Sequence, residues 1–89
     1  MGRLDRLKGK VAIVTRAGQG IGAAIAQAYA ANGASVVLTG RTYAKVAAIA
    51  DGIRAGGGAA LALEAHSGER EHAIATVERA IAEWGRIDV

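Results

Sequence analysis

Gly18, Gly20 and Gly22 stand at alternate positions between a short apolar run and a stretch of helical periodicity, and they are the residues best placed for chemistry. That chemistry is anion binding. A helix that starts in a glycine turn presents unpaired backbone N–H groups and the positive end of its dipole, and bare glycines let a pyrophosphate come close. By its letters, Gly18-x-Gly20-x-x-Ala23 fits a dinucleotide fingerprint, a weak signal when it stands alone. The alternative is a strand-to-helix turn that needs glycine only for its backbone angles. Other chemistry is poorly served. His66 and His72, with Glu69 and Glu71 nearby, have no recognisable ligand spacing, so we expect no metal site, and His72 reads as a solvated helix residue. No carboxylate pair and no nucleophile–base set is present, so no catalytic residue is assigned. The chain has no cysteine, which excludes disulfides and thiolate metal sites.

Positioning the glycine turn requires a strand before it and a helix after it. Val11-Ala-Ile-Val14 is a short, largely β-branched run suited to a strand covered on both faces. Beyond the glycines, Ile21, Ile25 and Tyr29 recur every fourth residue, on one side of a helix that Asn32-Gly33 stops in the left-handed manner. Val36-Val-Leu-Thr39 is a second strand, and Gly40-Arg41-Thr42 turns the chain, with Thr42 as N-cap. Val46, Ile49, Ala50 and Ile53 mark the inner stripe of a second helix, which ends at Gly56-Gly-Gly58. Residues 59–64 are rich in alanine and leucine, which favour helix by propensity, yet the triple glycine and the short length predict a third strand. Ser67 is the expected cap of a third helix, with Glu69 and Glu71 in its first turn. Its inner stripe is Ile74, Val77, Ile81 and Trp84; Gly85 closes it, and residues 87–89 open a fourth strand.

Strands and helices alternate strictly, which calls for parallel strands joined by right-handed crossovers. The predicted fold class is α/β, a partial doubly wound parallel sheet running βαβαβα with the start of a fourth strand. One truncated domain is expected over residues 1–89. It comprises a basic leader over 1–9, whose leucines tuck against the sheet edge, and the βαβαβα unit over 10–89.

Hydrophobic residues make up 52% of the chain, but they lean on alanine and aromatics are only 3%, so each side chain buries little area. No apolar stretch reaches membrane-span length and residues 1–10 lack a signal peptide's apolar segment, so a soluble, cytoplasmic protein without a membrane partner is expected. Residues 1–45 hold seven Lys and Arg against one acid, and residues 46–89 hold four against seven. The basic half carries the glycine turn, which suits a polyanionic small ligand. Nucleic acid is not the expected partner, because no stacking aromatics interleave the charges and no base-reading motif occurs.

Taken together, Leu7-Lys-Gly-Lys-Val-Ala-Ile-Val-Thr15, the turn ending Gly20-Ile-Gly22, Val37-Leu-Thr-Gly-Arg41 and Gly85-Arg-Ile-Asp-Val89 resemble successive landmarks of the short-chain dehydrogenase/reductase family. The 3-oxoacyl-acyl-carrier-protein reductase and sugar or polyol dehydrogenase branch is the most similar. The resemblance runs through the whole chain in register and covers about the first third of a typical member. It implies a Rossmann fold whose glycine turn holds the pyrophosphate of a nicotinamide dinucleotide. Gly18, Gly20 and Gly22 then belong to the turn, with Gln19 and Ile21 at its variable places. The family's first glycine falls at Arg16, where a long cation either crowds the adenosine side or reaches a phosphate; we expect weakened binding. NAD-binding members carry an acid at the end of the second strand, and that position is Gly40, followed by Arg41. Arginine attracts a 2′-phosphate, so NADP(H) is favoured over NAD(H), the alternative being a solvated turn residue. The aspartate that meets the adenine amino group in the family is replaced by His66, followed by Ser67; the alternative is a surface-loop histidine.

The family's acid/base tyrosine stands four residues before a lysine. Here Tyr43 is followed by Ala47 and Tyr29 by Gly33, so the chain is not expected to turn over substrate by itself. In the order 3-2-1-4 the first strand pairs with the fourth, and without that partner residues 11–14 form an open edge that invites self-association. Three readings follow: the nucleotide-binding part of an NADP-dependent oxidoreductase, a stand-alone non-catalytic binding module, or an inactive remnant.

Overall fold

Every interior position of the middle strand is buried on both faces, and the rest of the molecule is layered upon that strand. The structure, a computed structural model, describes residues 7–66 and 69–88. The elements run β1 (Val11–Val14), α1 (Gly20–Ala31), β2 (Ser35–Gly40), α2 (Tyr43–Ala55), β3 (Ala59–Glu64) and α3 (Arg70–Trp84). The strands form a parallel sheet in the order β1-β2-β3, with Val11 opposite Ser35 and Ser35 opposite Ala59. This is the predicted α/β arrangement. β3 forms as expected despite its helix-prone residues, because its alternation serves two faces. Ala60 and Ala62 join the core under α1 and α2, while Leu61 and Leu63 pack toward α3.

The first two helices share one face. There Val14, Val36 and Leu38 meet Ala26 and Ala30 of α1 and Val46, Ala50 and Ile53 of α2. On the opposite face α3 lays Ala80 against Val11 and Val37, with Trp84 and Ile87 at the margin. The expected inner stripe of α2 is found: Val46, Ala50 and Ile53 are buried and Ile49 packs beside them. The helix stops at Asn32-Gly33 and Gly85 also stand, with φ of 98° at Gly33 and 78° at Gly85.

Two stripes are corrected. α1 rests on the sheet through Ala23, Ala26 and Ala30, while Ile21 is 79% exposed and Ile25 is exposed as well; only Tyr29 of that stripe reaches the core. α3 buries Thr76 and Ala80, leaving Ile74, Val77 and Ile81 exposed. In each helix the larger apolar side chains stand off the contact face, with Ile21 on nearly the opposite side of α1. The strands already supply bulky Val and Leu, so the helices approach closely only through small residues. Thr42 is the N-cap of α2 but makes no side-chain cap bond. The N-cap of α3 is Glu69, and Ser67 lies outside the described residues, as do residues 1–6 and Val89. Leu7 packs against the α1 and α2 layer rather than the sheet edge, and its N–H donates to the Asn32 carbonyl at 2.7 Å. Residues 87–88 are not a strand, yet the Asp88 N–H donates to the Val11 carbonyl at 2.8 Å, on the side of β1 away from β2.

Candidate functional site

The three parallel strands all end toward one side of the molecule, and a cavity of about 770 Å³ opens there. Such a crevice beyond the carboxyl ends of parallel strands is where doubly wound sheets bind their ligands. Ile13 and Thr15 come from β1 and its exit, Thr39 to Thr42 from the end of β2, and Ala65 and His66 from the end of β3; Arg16, Gly18, Lys45, His72 and Thr76 complete much of the wall.

The glycine turn is packed to the thickness of bare backbone. A Cβ on Gly22 would overlap the carbonyl oxygen of Arg16, and one on Gly18 would stand 3.0 Å from the Lys45 Cβ. Only glycine lets α1 start this close to β1. In the first turn of α1 the Gly20, Ile21 and Gly22 amides precede the first intrahelical bond, donated by Ala23 to Gln19 at 3.4 Å. Those amides and the helix dipole suit an anionic ligand held by main chain, so the residues present fit a dinucleotide's pyrophosphate. Gly40 is equally constrained: a Cβ there would stand 2.9 Å from Cγ1 of the fully buried Val46.

Charge in the cavity is mainly positive. Arg16, Arg41 and Lys45 line it against one carboxylate, Glu69. The Lys45 Nζ donates to Gln19 Oε1 at 3.0 Å, tying α2 to the glycine turn. On the far wall, the His66 N–H donates to Nδ1 of His72 at 2.9 Å, and the two rings meet edge to face with centroids 5.3 Å apart. The Nε2 of His66 lies 3.3 Å from Glu64 Oε2, and the Thr76 hydroxyl donates to the His72 carbonyl at 2.8 Å.

Of the residues predicted from sequence, Arg16, Gly18, Gln19, Arg41 and His66 are brought together on this cavity. Gly20, Ile21 and Gly22 form the first turn of α1, next in the chain to Gln19 but not among the lining residues, and Ser67 lies outside the described residues. Lys45 and His72 were missed. Lys45 had a signal, since it follows Arg41 by four residues at the start of a predicted helix. His72 was read as solvated; it is half-buried and holds a main-chain donor across the cavity wall, an arrangement its sequence position does not disclose. Among the described residues, no group of three or more His, Cys, Asp or Glu is placed to hold a metal ion. None of the described helices is long and apolar enough to cross a membrane.

Comparison with known proteins agrees with this geometry. The sequence model of the family described as short chain dehydrogenase matches residues 10–89. An uncharacterized oxidoreductase of Methylorubrum extorquens is 44% identical over 87 residues, covering 97% of this chain and 35% of the relative. Elsinochrome reductase 1 of Elsinoe fawcettii is 42% identical over 86 residues, 96% of this chain and 32% of its own length. Among solved structures, hydroxysteroid dehydrogenase from Escherichia coli superposes with a TM-score of 0.90 at 37% identity, over 93% of this chain and 34% of that one. The citronellol catabolism dehydrogenase of Pseudomonas aeruginosa gives 0.88 at 36% identity, over 98% of this chain and 36% of that one. The chain thus spans about a third of the length of the relatives it matches. With the family match running through residues 10–89 and the crevice lying where a dinucleotide fits, the chain belongs to the short-chain dehydrogenase/reductase family, whose members bind a nicotinamide dinucleotide.

Proposed function

We propose that residues 1–89 form the NADP(H)-binding N-terminal part of a short-chain oxidoreductase, one nucleotide-binding unit with no catalytic residue of its own. The observation that carries this reading is the pairing of a backbone-thin glycine turn with Arg41 and Lys45 on one cavity. The α1 amides at Gly20, Ile21 and Gly22 take the pyrophosphate, with Gln19 and Gly18 shaping the turn beside Arg16. Arg41 takes the 2′-phosphate, and His66, which Ser67 follows in the sequence, is assigned to the adenine end. When bound, the coenzyme supplies a hydride donor or acceptor. The chain's own part is to hold and orient it. No tyrosine here precedes a lysine by four residues, so reduction of a carbonyl or oxidation of an alcohol falls to other residues. The lack of that pair also favours a second reading, a stand-alone non-catalytic nucleotide-binding module. A chain without cysteine suits the cytoplasm.

Calorimetric titration of the chain and of Arg41→Ala with NADPH and NADH tests this. NADPH binds the wild type more tightly, and the substitution lowers its affinity by about tenfold while leaving NADH unchanged. Equal affinity for the two coenzymes overturns the role of Arg41. Mixing the chain with the C-terminal part of a relative separates the two readings, since only the oxidoreductase part restores turnover.

A further inference from the structure

The wall of the cavity at the end of β3 depends on one acceptor whose availability changes with pH. Three main-chain bonds fix that wall: Ala65 N–H to the Gly40 carbonyl at 2.9 Å, Glu69 N–H to the His66 carbonyl at 3.1 Å, and His66 N–H to His72 Nδ1 at 2.9 Å. The first two acceptors are carbonyl oxygens and do not titrate. The third is a ring nitrogen that accepts only while it carries no proton, so this bond requires His72 to be the Nε2–H tautomer. We propose that His72 is an acid-sensitive positioning residue: its bare Nδ1 holds the His66 main chain in the cavity wall, and protonation of that nitrogen turns the acceptor into a donor and disengages it.

Within α3 the Thr76 hydroxyl donates to the His72 carbonyl, so that carbonyl is already engaged and the ring's Nδ1 is the group that meets His66. Once charged, the ring faces the His66 imidazole edge to face, with Glu64 beyond it on β3. Glu64 and Arg79 flank it on the outer groove, and Glu69 stands a turn earlier on the cavity side. Across the cavity are the cations Arg16, Arg41 and Lys45. A protonated Nδ1 therefore meets the His66 N–H head on while carboxylates at Glu64 and Glu69 offer it other partners. The consequence for ligand affinity rests on the nucleotide reading above; the hydrogen bond itself does not.

The test compares wild type, His72→Asn and His72→Phe. Asparagine places an uncharged acceptor near the Nδ1 position, and phenylalanine keeps a ring without one. Exchange protection of the His66 amide, corrected for intrinsic exchange, is followed from pH 8 to pH 5, with ring nitrogen shifts to report the His72 tautomer. Wild type loses about tenfold protection on acidification, His72→Asn keeps it throughout, and His72→Phe lacks it at every pH, with unchanged circular dichroism. A pH-independent His66 amide in the wild type, or wild-type protection in His72→Phe, overturns the proposal. NADPH titrated over the same range weakens more steeply in the wild type than in His72→Asn. Failure of NADPH to bind the wild type at pH 8 defeats the coenzyme reading, and amide exchange still decides the role of His72.

Discussion

Arg16 puts a long side chain where the backbone best accommodates glycine. Its φ is 53°, and it is the one non-glycine among the described residues with a positive φ. The left-handed conformation costs an L-residue roughly 1–2 kcal/mol, part of which glycine gives back through its larger unfolded-state entropy. The substitution Arg16→Gly is therefore expected to stabilise the chain by about 0.5–1 kcal/mol in a urea titration. The same variant separates crowding from phosphate contact: we expect NADPH to bind more tightly once the cation is gone, and weaker binding would mean that the guanidinium holds a phosphate. Gly40 shows the opposite situation. Its place at the end of β2 was read for coenzyme choice, yet the contact a Cβ would make with Val46 shows that packing of α2 alone already requires a glycine there. The neighbouring Arg41 is exposed and free of that constraint.

Among the described residues, Asp88 is the one that bonds the open side of β1. The Asp88 carboxylate accepts the Val11 N–H at 2.9 Å, and the Asp88 N–H returns a bond to the Val11 carbonyl. Arg86 grips the same carboxylate with two bonds, Nε to Oδ2 at 2.9 Å and Nη2 to Oδ1 at 2.6 Å. The Arg86 hydrogen bond first, and then the Val11 amide, hold the Asp88 carboxyl below its ordinary range. A carboxyl held low in the folded state stabilises it above the unfolded pKa and ceases to do so as pH falls through the folded one. Asp88→Asn should thus lower stability by a constant amount at neutral and alkaline pH and flatten the acid limb below about pH 4, where the two chains converge, as thermal melts across pH would register. At this scale the sequence was most legible where bulk and glycine agree. Val36, Val37 and Leu38 could only be a buried strand, and Gly33 and Gly85 could only end helices. Helix faces were misread because isoleucine was weighted over alanine, whereas the space above a valine-rich sheet admits Ala26 and Ala80 more readily than Ile25 or Ile81. The cavity's basic wall was legible through Arg41, but the His66–His72 bond joins residues whose approach is set by the end of β3 and the start of α3 together.

For the whole molecule, those displaced stripes leave large apolar side chains exposed. Ile21 and Ile25 on one face of the sheet, and Ile74, Val77 and Ile81 on the other, are exposed. β1 pairs with β2 on one side, while its other side meets only Asp88 among the described residues. Free strand edges flanked by apolar surface are templates for pairing, and scattered single side chains would not have this effect. We expect the chain to self-associate at micromolar concentration, visible as a concentration-dependent mass in light scattering. The double substitution Ile74→Glu and Ile81→Glu places charge on the α3 stripe without touching Thr76 or Ala80, which face the sheet. It should shift the population toward monomer while leaving the circular dichroism intact. Because those positions lie away from the cavity wall, NADPH affinity per chain should not change. A wild type that stays monomeric and melts in one sharp transition would mean that the small-residue helix faces bury enough area by themselves.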